Sequence, residues 1–166
     1  MGVVRVFRGE GAYRRFALDR NELLVDLTLR QNASIAASER TAERVEALLK
    51  GDPDVDHYST YVGRGAIRFY LPLSVHLANP FFSQIVVVAK SIEARDRLQA
   101  RLEGKLALDF PELVSRVSPL EMGPPVGWPL QYRVSGPDKD EVRRLSLELA
   151  GVVGTDTRTR HVHFDW

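Results

Sequence analysis

Cysteine is absent from the 166-residue chain, methionine occurs only twice, and the formal net charge is +1. Each shortage removes a class of chemistry. Without cysteine there is no disulfide, no thiol nucleophile and no thiolate metal site. A charge this close to neutral lacks the basic stripe of a dedicated nucleic-acid binder. Long apolar runs are missing too: the longest, IVVVA at 85–89, is far too short to cross a bilayer. The opening MGVVRVFRGEGAYRRFALDR carries charges throughout and no apolar core of signal-peptide length. Taken alone, the chain is expected to be neither inserted nor exported, with any addressing elements lying outside it.

What is present describes a folded protein. Hydrophobic residues make up 44% and charged residues 27%, and the length suits one domain, or one domain and part of another. One pattern recurs three times: apolar strand, polar turn, amphipathic helix, turn, strand. In LLVDLTLR, Leu23, Val25, Leu27 and Leu29 alternate with polar residues, which predicts a strand with one buried face. Ser34 is placed to cap a helix whose apolar stripe is Ile35, Ala42, Val45, Leu48 and Leu49. Gly51 and Pro53 stop it before the strand VDHYSTYV. The second unit runs from QIVVVAK through a helix capped by Ser91, with Ile92, Leu98, Leu102 and Leu106 on one side, to the strand LVSRVSPL. The third runs from LQYRVS through a helix with capping-box spacing at Asp138 and Glu141 and apolar Val142, Leu145 and Leu149, to the strand RHVHFDW.

Each unit has the length of a strand–helix–strand crossover. The first two spell β-α-β-β-α-β, an α+β, ferredoxin-like split β-α-β sheet with its helices on one face. The third is an incomplete second β-α-β unit, whose strands at 130–135 and 160–166 are expected to present open edges. Between them GPPVGWP, 123–129, excludes helix and central strand and marks the boundary.

Three motifs invite a functional reading. In HVHFDW, alternation puts Val162, Phe164 and Trp166 toward the third helix, and His161, His163 and Asp165 on the open face. A zinc site needs a fuller ligand set and groups that orient each imidazole, so a polar strand face is the better reading and no metal is expected. GRG at 63–65 lacks the third glycine and the following helix of a dinucleotide loop. The long connection Gly63–Ser83 is more informative, because connections of this length are usually functional. Its Phe69, Tyr70, Phe81 and Phe82 either fold back onto the domain's own core or line a surface where something apolar binds. No nucleophile–base pairing and no carboxylate pair in an apolar pocket stands out, so no enzymatic activity and no cofactor are expected. Charges such as those in SERTAERVE read as solvated helix faces. The aromatic signature of RNA-recognition domains is also missing, so no nucleic-acid partner is expected.

Five phrases occur together in order: LLVDLTLRQNASIAASERTAERVEALL, YVGRGAIRFYLPL, NPFFSQIVVVAK, GPPVGWPLQYRVSGPD and HVHFDW. In that order and spacing the chain, from about Phe16 to Trp166, resembles the periplasmic porter region of resistance-nodulation-division (RND) efflux transporters. The resemblance implies a domain layout: 1–20 a non-family N-terminal remnant, 21–122 a ferredoxin-like porter subdomain, 123–129 a Pro/Gly linker, 130–166 the first half of a second such subdomain. It places the chain in the second large periplasmic loop, on the periplasmic side of the bacterial inner membrane. The expected partners are amphiphilic small-molecule substrates, two further copies in a homotrimer, a periplasmic adaptor and an outer-membrane channel. Drug pockets in the family are lined by strands of the first subdomain and by a switch loop, which matches Gly63–Ser83 here. The implied substrate-binding residues are Tyr58 on the preceding strand, Gly63, Gly65, Phe69, Tyr70, Phe81 and Phe82 in the loop, and Tyr132 at an entrance cleft. With Met1 and Met122 the only methionines, organic compounds fit better than the soft cations that methionine clusters hold. The proton relay of the family lies in membrane helices. A free-standing ferredoxin-like small-molecule-binding or interaction module is the alternative.

Overall fold

The fold is available as a computed structural model, which describes residues 5–8 (backbone), 20–69, 73, 75–120, 130–159 and 162–164. The chain divides into two compact units, one of residues 13–125 and one of residues 1–12 with 126–166.

The larger unit holds a four-stranded antiparallel sheet and two helices. Its strands are β2 (Glu22–Thr28), β3 (Val55–Val62), β4 (Phe82–Ala89) and β5 (Val114–Pro119), in the order β3-β4-β2-β5. That order, with α1 (Ile35–Leu49) between β2 and β3 and α2 (Ile92–Asp109) between β4 and β5, is the split β-α-β arrangement expected from the repeating units. Alternation in β2 is strict: Leu23, Val25 and Leu27 are buried and their neighbours are not. Register sets Leu23 opposite Val87 and Val25 opposite both Ile85 and Val117, so one sheet face is mainly apolar, interrupted near one end by Ser83 and Ser115 opposite Leu27. Val45 and Leu49 of α1 and Leu98, Leu102 and Leu106 of α2 close over it to form the core. Burying one such side chain stabilises the fold by roughly 1.5–3 kcal/mol.

Local signals set the helix ends. Ser34 accepts a hydrogen bond from Ala37 N–H, and Ser91 does the same for Ala94 N–H, satisfying amides that have no partner within the helix. Ile35 departs from the expected buried stripe and is exposed. It is the first residue of α1, where the stripe has barely begun to face the sheet. The α2 helix is tied to the turn before β3 by ion pairs: Arg97 and Arg101 both reach Asp54, and Arg101 also reaches Asp52 at 2.7 Å. These hydrogen bonds from Arg97 and Arg101 hold the Asp54 carboxyl below its ordinary pKa.

The smaller unit pairs β1 (Arg5–Arg8) with β6 (Leu130–Arg133) in an antiparallel two-stranded sheet, followed by α3 (Lys139–Gly154). One edge of β6 finds a partner strand in the chain's own opening segment, which was not expected, and among the described residues its other edge stays open as expected. Asp138 caps α3 by accepting from Asp140 and Glu141 N–H. The reciprocal half of the capping box is not made, because the Glu141 carboxylate is taken by Arg144. No residue of α3 is buried. Val162 and Phe164, expected beneath the third helix, are exposed, and 162–164 form no strand. Residues 160–161 and 165–166 of that expected strand, and the linker 123–129, lie outside the described residues.

Candidate functional site

The sheet has a second face, and the connection from β3 to β4 covers part of it. Phe82, Gln84 and Val86 alternate with the core residues of β4 and point away from the helices, yet all three are buried. Ala66 and Leu73 of the loop are buried as well. The loop thus lies against the sheet instead of hanging in solvent.

Its base continues the β3–β4 ladder. Gly63 N–H donates to Phe82 O at 2.8 Å, Asn79 N–H donates to Gly63 O at 2.8 Å, and Gly65 N–H donates to His76 O at 3.2 Å. The glycines have separate reasons to be there. Gly63 has φ +71°, and a Cβ on it would lie 2.8 Å from Ile35 Cδ1, so both backbone and space favour glycine. Gly65 has an ordinary φ, but a Cβ there would lie 2.9 Å from His76 Cβ. Gly63 serves a close approach to α1, and Gly65 a close approach of the two limbs, 63–69 and 75–79.

A short polar relay fastens the loop to the sheet. Ala66 N–H donates to Gln84 Oε1 at 2.8 Å, and Gln84 Nε2 donates to Asp26 Oδ1 at 2.6 Å. The amide of Gln84 fits both neighbours in only one orientation, carbonyl toward the amide donor and NH2 toward the carboxylate. Asp26 and Gln84 are direct cross-strand partners, which brings the two polar groups together on central strands. Burial pushes the Asp26 carboxyl above its ordinary pKa, against the opposing pull of the Gln84 hydrogen bond and of nearby His76 and Arg116. His76 stacks on Phe82, ring centroids 4.5 Å apart. At the other end Ser38 of α1 donates to Pro80 O at 2.7 Å.

The two readings of the loop aromatics separate residue by residue. Phe82 is buried under His76 and belongs to packing. Phe81 is half-buried in the turn, its N–H donating to Asn79 Oδ1 at 3.1 Å. Phe69 is 43% exposed, and Ile67 in the same limb and Val75 and Leu77 in the other are exposed as well. Tyr70 lies outside the described residues. Tyr58 packs against the hydrophobic core, on the helix-covered face opposite Val87, so the structure does not bring it together with the loop. Tyr132 is exposed on β6, opposite Val6 in the other unit.

Sequence reasoning passed over Asp26, Gln84 and Ala66, which hold the loop. The signal was a polar residue beside each of two apolar stretches on the central strands, LLVDL and QIVVV. Their pairing depends on a register that only the assembled sheet reveals. Among the described residues no group of three or more His, Asp or Glu side chains is placed to hold a metal ion; His161 and Asp165 lie outside them. No described helix is long and apolar enough to cross a membrane. No protein-family model matches the chain, and no curated protein matches it.

Proposed function

We propose that the chain is the substrate-capturing porter part of a proton-driven RND efflux transporter, acting on the periplasmic side of the bacterial inner membrane. The observation that carries the reading is the loop between β3 and β4, residues 63–81: bonded at its base and through Ala66, it presents Ile67, Phe69, Val75 and Leu77 to solvent. Soluble domains seldom display several large apolar side chains in one loop without a use for them. Such a surface gives amphiphilic compounds adaptable, sequence-tolerant contacts. The resemblance of the five ordered motifs supports the family reading, and the strand order β3-β4-β2-β5 is compatible with such a porter subdomain. Capture here needs no catalytic group and no cofactor. In the complete transporter the chain would work as a homotrimer that hands compounds to a periplasmic adaptor and an outer-membrane channel.

The test has two steps. The coding sequence on both sides of this chain should encode hydrophobic spans; if it does not, the free-standing binding module replaces the porter reading. In the complete transporter, Phe69→Ala should then lower resistance to some amphiphilic compounds and spare others at normal expression. A loss of about ten- to hundredfold in capture matches removal of one buried aromatic contact. Unchanged resistance to every compound, or failure to accumulate, overturns the assignment of the loop.

A further inference from the structure

The loop that presents these apolar side chains has a one-sided charge. Residues 63–83 contain no aspartate and no glutamate, while Arg64 and Arg68 both lie in the first limb. Both arginines are exposed, and no carboxylate among the described residues pairs with either. Elsewhere in the larger unit Arg20, Arg44, Arg95, Arg97 and Arg101 have acidic partners, while Arg30 and Arg40 are exposed without one among the described residues. What sets the loop apart is that it holds two arginines and no acidic residue. The carboxylate that reaches the loop from beneath, Asp26, is engaged by Gln84.

Resting on the reading of this loop as a capture surface, we infer that its ligands are amphiphilic anions: an apolar body seated on Ile67, Phe69, Val75 and Leu77, with a carboxylate or sulfonate met by Arg64 and Arg68. The chemistry of each part is complementary. Guanidinium groups present a fork of donors to a planar or tetrahedral oxyanion, and the nearby apolar side chains cover the remainder of the ligand. An ammonium compound would meet two like charges and no counter-ion in the loop. A small molecule fits better than a membrane surface, because the described apolar side chain between the two limbs is not offered to solvent. Leu73, between the limbs, is buried, and the close approaches of Gly63 to Asn79 and of Gly65 to His76 keep the two limbs side by side. Among the described residues the exposed apolar side chains of the loop therefore lie along the limbs.

The experiment is calorimetric titration of the full chain with three ligands of matched chain length below their micellar concentrations: decanoate, decylammonium and decyl maltoside. Decanoate should bind about tenfold or more tighter than decylammonium. Each exposed arginine should account for up to about fivefold of that difference, the upper range for a surface charge pair. The double variant Arg64→Gln/Arg68→Gln should abolish the preference while leaving decyl maltoside binding unchanged. Raising the salt concentration should narrow the gap, because exposed charges are screened. If all three ligands bind equally, or decylammonium binds best, the anion inference falls and the capture surface stands. A preference that survives in the double variant also overturns it. If no ligand binds, both fall together. Sedimentation with phosphatidylglycerol vesicles, with no binding of monomeric decanoate, would reassign the surface to a membrane and overturn the inference.

Discussion

α1 and α3 are helices of similar length with similar apolar periodicity, and they end in opposite circumstances. In α1, Ala42, Val45 and Leu49 are buried against the sheet; in α3 nothing is buried, and Leu145, Leu147 and Val152 are exposed. Each helix has an N-cap whose side chain accepts from a first-turn amide. Local signals are therefore equally good in both. What differs is the sheet: α1 lies in a unit with four strands and a mainly apolar face, and α3 in a unit with two strands among the described residues. Periodicity makes a helix amphipathic, but burial needs a surface of matching size, and a two-stranded sheet is marginal on its own. The larger unit carries its own core. In the smaller one, no described residue of its helix is buried.

The largest expected effect breaks this comparison most simply. Leu98→Ala empties a site in the core of the larger unit and should cost about 2–5 kcal/mol in denaturant unfolding. The same truncation in α3, Leu145→Ala, should stay within about 0.5 kcal/mol, because the side chain is 40% exposed. Equal losses would mean that α3 has a packing partner of its own.

The next effects concern how the loop is held. Gln84→Met keeps the volume and removes both hydrogen bonds, leaving Ala66 N–H buried without an acceptor, and should cost about 1–3 kcal/mol. Gly63→Ala should cost a similar amount, roughly 1–3 kcal/mol, because alanine must adopt a left-handed backbone and crowd Ile35. A loop held by other contacts would leave the unfolding midpoint of both variants unchanged.

Acidity tests the relay more finely. The pKa of Asp26 is raised by burial in the folded chain, so keeping it ionised opposes folding. The sign is fixed: this contribution to stability is fully present below the unfolded value, about 3.9, and is lost as pH rises through the folded value. Asp54 has the reverse sign, since its lowered pKa stabilises above the unfolded value and fails in acid. Comparison of wild type with Asp26→Asn isolates the first group. The stability of the variant relative to wild type should be greatest near neutral pH and shrink toward pH ~4. A difference independent of pH would show that the carboxyl does not titrate differently in the folded chain. The smallest effect belongs to Phe69→Ala, expected to move stability by no more than about 0.5 kcal/mol; a core-sized loss would make Phe69 part of the packing.

Much of the larger unit was legible in the sequence because its signals were local. Alternation in LLVDLTLR, the caps Ser34 and Ser91, and the stops at Gly51 and Pro53 each act within a few residues. The strand order followed from helix placement on one face. The pairing of Arg5–Arg8 with Leu130–Arg133 was not legible, since those segments are far apart in sequence and carry no pattern that names each other. The candidate site was half legible. Loop length and aromatics located it, but composition could not separate Phe82, stacked beneath His76, from exposed Phe69. Nor could it place Tyr58, whose side of the sheet depends on a register shift between Val55 and His57.

Amide hydrogen exchange on the full chain tests the contrast between the two units most directly. Central amides of β2 and β4 should exchange only through global unfolding of the larger unit, while those of β6 and α3 should open locally and exchange at least about tenfold faster. Equal, high protection across 22–120 and 130–154 in a dilute monomer would contradict the account, because it would mean that the smaller unit is stabilised as fully as the larger one.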